Sequence, residues 1–199
     1  MADFAIEADL LKKDHRFVCG LDEVGRGCLF GPVVAGAVIL DPARLNPAYD
    51  DSKKLSPGQR LRLAGDIYGK ALAFSVGWCW NDEIDRNNIL KATQKAMRRA
   101  FDRLQIRPDC VLVDALLPDF LPVSGQAVIH GDGKSLSIAA ASIIAKVFRD
   151  QLLEQFSLFF PAYGLGQNKG YPTQKHRIML SCLGETVFHR KSFKLKHGH

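Results

Sequence analysis

No apolar run in this 199-residue sequence approaches the roughly 20 residues needed to cross a bilayer. The first thirteen residues carry Asp3, Glu7 and Asp9, which conflicts with a secretory leader, so a cytoplasmic protein is expected. The five cysteines (19, 28, 79, 110 and 182) are odd in number, scattered and without a C-x-x-C pair. They are read as reduced, mostly buried small apolar residues, which excludes a disulfide frame or a zinc knuckle. Internal repeats, low-complexity tracts and Pro/Gly/Ser-rich linkers are lacking too, and the length suits one domain with its own core. A monomer is the default expectation.

What is present is an ordinary soluble composition, 47% hydrophobic and 24% charged, with a formal net charge of +6. That excess points toward an anionic partner such as nucleic acid, or only toward a solvated basic surface. The last stretch, His189-Arg190-Lys191-Ser192-Phe193-Lys194-Leu195-Lys196, places an aromatic among basic residues. It reads equally as a tail that tracks a phosphate backbone and as a frayed terminus.

Asp3–Lys13 has helical spacing of apolar residues, whereas Phe17–Leu21 and the β-branched run Pro32–Leu40 read as adjacent strands. Ser56-Pro57 has the chemistry of a helix start, with a helix to about Gly69. Ala71–Trp80 reads as a third strand, and Asn81 as the cap of a helical stretch continuing through Ile89–Leu104. Short strands are expected at Cys110–Val113 and Ala127–Ile129, a long helix at Leu136–Phe160 and a last one at Thr173–Leu183. The order predicts an α/β domain: a central mixed sheet flanked by helices, with a short helical C-terminal part. Residues 1 to about 160 would form the core, and about 161–199 a C-terminal helix and basic tail.

Four carboxylates fall at expected strand ends: Asp22 and Glu23 after the first, Asp114 after the fourth, and Asp132 after the fifth. Strand ends in an α/β domain converge on one crevice, and clustered carboxylates repel unless a cation neutralises them. Mg²⁺ or Mn²⁺ would do so, because hard cations prefer oxygen ligands. Taken singly, Asp114 and Asp132 are better explained as turn residues; adjacent acids at 22 and 23 are harder to explain without a partner. Beside them Gly25-Arg26-Gly27 makes a turn that backbone ligand contacts can exploit, or simply a turn. Lys53 precedes a helix start, a place suited to phosphate and equally to a solvated loop. Lys146 and Arg149 share a helix face, and Tyr171 lies in a cationic loop where it stacks on a sugar or packs on the protein body.

The segments Gly20–Ala35, Asp51–Ser56, Asn81–Asp85, Gly131–Ser135, Ala139–Asp150, Lys169–Thr173 and His189–Phe193 together resemble the ribonuclease HII family, in family order and over nearly the whole chain. The resemblance implies the ribonuclease H fold and an endonuclease that cuts the RNA strand of RNA–DNA hybrids and nicks 5′ of ribonucleotides embedded in duplex DNA. It further implies a two-metal Mg²⁺ or Mn²⁺ site on Asp22, Glu23, Asp114 and Asp132, with 3′-hydroxyl and 5′-phosphate products. Ribose contact falls on Gly25, Arg26, Gly27 and Tyr171; Lys53, Lys146 and Arg149 are carried over as phosphate-holding or fold-supporting residues.

Two departures from the family pattern stand out: Ala115-Leu116-Leu117 where many relatives have glycine and then a polar residue, and Phe30 where a small residue is usual. The basic stub after Phe193 reads as a shortened C-terminal arm, and the absence of a preceding substrate-binding domain argues against the sister class ribonuclease HIII. Competing readings are a junction-resolvase-like nuclease, indifferent to the 2′-hydroxyl, and an inert nucleic-acid-binding module. Gln155–Phe159 loosely resembles a sliding-clamp-binding peptide; the simpler expectation is that Phe156, Phe159 and Phe160 supply a helix with its apolar face.

Overall fold

Three largely apolar runs assemble one side of a five-stranded sheet. β1 (Val18–Val24) pairs antiparallel with β2 (Val33–Ile39), and β2 antiparallel with β3 (Ala73–Cys79). On its other edge β1 runs parallel to β4 (Cys110–Asp114), which runs parallel to β5 (Ser124–Val128), giving the order β3-β2-β1-β4-β5. This computed structural model describes residues 2–193, so Lys194, Leu195 and Lys196 of the basic tail lie outside the described residues. No helix among the described residues is long and apolar enough to cross a membrane.

Helices cover both faces of the sheet, as the sequence predicts. α1 (Ala5–Lys12) precedes β1, and α2 (Pro57–Lys70) opens with a capping box in which Ser56 and Gln59 each bond the other's backbone N–H. α3 (Asn81–Asn87) and α4 (Ile89–Asp102) cover one face, where Ala92, Ala96, Met97 and Phe101 meet Leu21, Ala35 and Val113. α5 (Leu136–Phe159) lies on the other face with α2, its Ala139, Ala140 and Ala141 fully buried. A Cβ at Gly36 in β2 would stand 2.3 Å from the Ala141 carbonyl oxygen. Small residues on both elements therefore let the long helix sit directly on β2, the partner of the strand that carries Asp22 and Glu23.

Two helix details differ from expectation. Asn81 does not cap α3: Trp80 takes the cap position, and the Asn81 amide donates to the carbonyls of Val187 and His189 at 3.0 and 3.1 Å. The helical stretch also breaks at Asn88, whose φ of +72° ends α3 while its side chain caps α4. β5 begins three residues early, at Ser124, because parallel pairing with β4 recruits polar residues that carry no apolar signal.

α6 (Leu165–Asn168) and α7 (Gln174–Leu183) build a C-terminal sub-core on the far half of α5. The unusual Phe30 belongs here: fully buried, it meets Phe156 and Phe160 edge-on, with ring centroids 5.5 and 5.9 Å apart. Phe159 does not join the apolar face assigned to it. It is 76% exposed beside a 72% exposed Leu158, so packing does not account for it. Four of the five cysteines are buried and all are free, as expected of small apolar residues.

The other departure, Ala115, sits at the end of β4 with φ +53°. An L-residue there costs roughly 1–2 kcal/mol, which glycine avoids at an unfolded-state entropy cost of about 0.5–1 kcal/mol. Ala115 is solvent-exposed, so no packing is lost by trimming it. Ala115→Gly is expected to stabilise the fold by about 0.5–1 kcal/mol, read as a higher urea midpoint at unchanged slope. A lower midpoint would show that the local backbone is not strained.

Candidate active site

Adjacent strand residues point to opposite faces, so Asp22 and Glu23 leave β1 in different directions. Asp22 is 5% exposed and faces α5, where the Ser142 hydroxyl supports its carboxylate. Its Oδ1 also accepts the backbone N–H of Glu23 at 2.7 Å. Glu23 is half-buried and held by the Arg26 guanidinium at 3.2 Å, while its Oε2 is buried without a partner among the described residues. Asp114 lies one residue past the Leu21–Val113 pair of the parallel β1/β4 register, which sets it beside Asp22. Asp132 occupies a tight turn, Gly131–Gly133, that the Gly131 N–H fastens to Asp114 Oδ1 at 2.7 Å. The Lys53 ammonium reaches Asp132 Oδ2 at 3.2 Å and Asp51 Oδ1 at 3.8 Å.

A cleft of about 420 Å³ opens above these groups. It carries Asp22, Glu23 and Asp114, the whole Gly25-Arg26-Gly27 turn, and Lys53, Lys146 and Tyr171. A larger groove of about 710 Å³ beside α2, α5 and α6 shares Lys146 and Tyr171 with it. Asp132 and Arg149 are not among the residues lining the cleft. Asp132 is buried beside it and joined to it by Lys53, whereas Arg149 is fully buried below. The Arg149 guanidinium donates to the carbonyls of Pro32, Lys169 and Phe30 at 3.0, 2.7 and 3.0 Å. With its N–H groups on backbone, Arg149 supports two loops. Lys146, three residues earlier, bonds Asp150 at 2.7 Å and does face the cleft.

The cluster is electrostatically uncomfortable. Burial, then the charges of Glu23 and Asp114, raise the Asp22 carboxyl well above its ordinary range. Burial raises Glu23 against the pull of Arg26, and burial with the Asp132 charge raises Asp114 against the Gly131 N–H. Burial works against the Lys53 ammonium, but Asp132 and Asp51 outweigh it and raise its pKa. Carboxylates left charged here stabilise whatever cation enters.

Several contributors were not singled out as site residues by the sequence, although most lie in the family-like segments. Ser52 and Ser142 bond each other at 2.8 Å, fixing the loop that bears Lys53 to α5. His176 holds the Tyr171 carbonyl through Nδ1 at 2.9 Å and meets His189 at 3.2 Å between ring nitrogens. His189 and Arg190, placed in a basic tail by their charge, are each 1% exposed. Neither reading of the tail holds for them: Arg190 is committed to carbonyls of the Gly25–Gly31 segment, leaving it no reach to a phosphate.

The family model described as ribonuclease HII matches residues 19–196. A ribonuclease HII of Ruegeria pomeroyi is 46% identical over 196 residues, covering 98% of this chain and 83% of the relative. One from Vibrio vulnificus is 50% identical over 180 residues, covering 90% of this chain and 87% of the relative. Among solved structures, the Archaeoglobus fulgidus ribonuclease HII in complex with PCNA superposes with a TM-score of 0.78 at 27% identity, covering 92% of this chain and 98% of that one. A match across nearly the whole sequence, on a sheet whose strand ends carry the acids, shows that the chain belongs to the ribonuclease HII family of endonucleases, which hydrolyse the RNA strand of RNA–DNA hybrids.

Proposed function

We propose that the cleft nicks duplex DNA on the 5′ side of single embedded ribonucleotides as well as cutting long hybrids, by a two-metal reaction at Asp22, Glu23, Asp114 and Asp132. The observation that carries this reading is the company the acids keep: three of them share one cleft with the Gly-Arg-Gly turn and Tyr171.

The donor set suits Mg²⁺ or Mn²⁺. All four side chains offer hard oxygen, Glu23 Oε2 lacks any other buried partner, and the raised carboxyls lack sufficient positive charge. Among the described residues no group of three His, Cys, Asp or Glu side chains is placed to hold a metal ion by itself, so water and substrate phosphate would have to complete the coordination. An open arrangement is what Mg²⁺ favours, since it binds through few carboxylates and takes the remaining ligands from water and substrate phosphate. When bound, such ions supply activation of the attacking water and charge stabilisation at the leaving 3′-oxygen.

The protein's own groups do the rest. Glu23 is steadied by Arg26 and Asp114 by Gly131, so neither carboxylate rotates away from the cleft. Lys53 and Lys146 meet the phosphate backbone at its rim. Only the 2′-hydroxyl distinguishes the target nucleotide from its DNA neighbours, and the backbone of Gly25–Gly27 can bond it without an intervening side chain. Tyr171, 39% exposed, stacks on the adjoining sugar.

The test is gel-resolved cleavage of a labelled duplex with one ribonucleotide, beside an all-DNA duplex and a long hybrid, in Mg²⁺, Mn²⁺ and chelator. The expected result is metal-dependent nicking just 5′ of the ribonucleotide, leaving 3′-hydroxyl and 5′-phosphate ends. Cutting of all-DNA, or of the hybrid alone, would refute the proposed specificity.

A further inference from the structure

A turn that reads a hydroxyl through its backbone works only if its peptide planes are held. Under the Gly25-Arg26-Gly27 turn lies Arg190, 1% exposed. It donates from Nη2 to the Gly25 carbonyl at 2.7 Å, from Nη1 to the Arg26 carbonyl at 2.8 Å and from Nε to the Gly31 carbonyl at 3.0 Å. In a planar trans peptide the C=O of one residue and the N–H of the next point in opposite directions. Drawing the Gly25 and Arg26 carbonyls inward therefore turns the N–H groups of Arg26 and Gly27 outward. Both residues are exposed, and neither N–H has an acceptor among the described residues. One buried guanidinium thus aims two adjacent donors.

Arg190 is itself held from both sides by α3. Asn81 donates to the carbonyls of Val187 and His189, while the Asp85 carboxylate accepts the N–H groups of Lys191 and Ser192 at 3.0 and 2.9 Å and the Ser192 hydroxyl at 2.5 Å. α3 is anchored in turn through Glu83, which pairs with Arg99 at 2.8 Å and Lys95 at 2.5 Å. The Asn81–Asp85 segment thus has work that neither the acids nor the ribose turn explains.

We propose that Arg190 is a positioning residue for ribose recognition and that Asn81 and Asp85 form the latch that keeps it in place. This rests on the reading of the Gly25–Gly27 turn as the ribose reader. Discrimination is then sensitive to changes in α3, which the cleft does not include.

The experiment compares the wild-type protein with Arg190→Lys and Asp85→Asn. For each, KM on a single-ribonucleotide duplex is measured against Ki of the same duplex made wholly of DNA, with melting temperatures alongside. A wild-type Ki/KM near one would refute the ribose reading itself. With a wild-type ratio well above one, the latch requires the ratio to contract about fivefold or more in both variants, because lysine keeps the charge but not the three-way fork. Variants that lose rate or stability while holding the wild-type ratio would make Arg190 merely structural and overturn the inference. Should Arg190→Lys fail to fold, Asp85→Asn, altered at the surface, decides the matter alone.

Discussion

Asp22→Asn is expected to reduce kcat by about three orders of magnitude or more, near 4 kcal/mol of transition-state stabilisation, while raising the melting temperature of the metal-free protein. Both effects have one origin. Asp22 is buried next to the charges of Glu23 and Asp114, an arrangement that disfavours its anion in the folded chain. A carboxyl raised in the fold destabilises it at neutral pH, and the penalty fades as pH falls through the raised value. Asparagine keeps the shape and removes the charge, so the gain is expected at pH 8 in chelator and should vanish toward pH 4. For a protein this size each 1 kcal/mol relieved moves the midpoint by about 2–4 °C. Thermal melts at both pH values, paired with single-turnover cleavage, test it. A variant that stays active, or is less stable at pH 8 in chelator, would refute the proposal that the four acids form a strained cation site.

Much of this site was legible because its chemistry sits on strand ends. Apolar runs located β1 and β4, and the two adjacent acids closing the first have few bland explanations, whereas Asp114 alone reads as a turn residue. The long helix was legible from its uninterrupted, alanine-rich stretch, and the structure seats Ala139–Ala141 against the sheet. What stayed hidden depends on contacts between segments distant in sequence. Arg190 looks like tail charge until residues 187–192 fold back beneath the turn, 165 residues from Gly25 in sequence. Asn81 looks like a helix cap, since nothing local reveals that its amide is spent on carbonyls 106 and 108 residues away. Phe159 departs from expectation for a different reason: helical spacing groups it with Phe156 and Phe160, but only those two pack against the C-terminal sub-core, while Phe159, the last residue of α5, faces solvent.

The two glycines of the Gly25-Arg26-Gly27 turn look alike in sequence and differ physically, which gives the second large effect. Gly25 has φ +91°, and a Cβ on it would stand 2.2 Å from Arg149 Nε. Gly25→Ala must therefore strain its own backbone and push a fully buried guanidinium off the carbonyls of Pro32, Lys169 and Phe30. The backbone alone costs roughly 1–2 kcal/mol, and each weakened bond to a charged donor about 1.5–3 kcal/mol. A loss of at least about 3 kcal/mol is expected, with a melting temperature about 6–12 °C lower. Because Arg149 also holds the Lys169 carbonyl next to Tyr171, kcat/KM on the single-ribonucleotide duplex should fall about 100-fold. Gly27 has no atom within 4 Å of its would-be Cβ and no positive φ. Gly27→Ala should therefore melt within about 0.5 kcal/mol of the parent, so that any loss of activity arises where substrate meets the turn. Equal destabilisation by both substitutions would mean that packing against Arg149 is not what requires glycine at position 25.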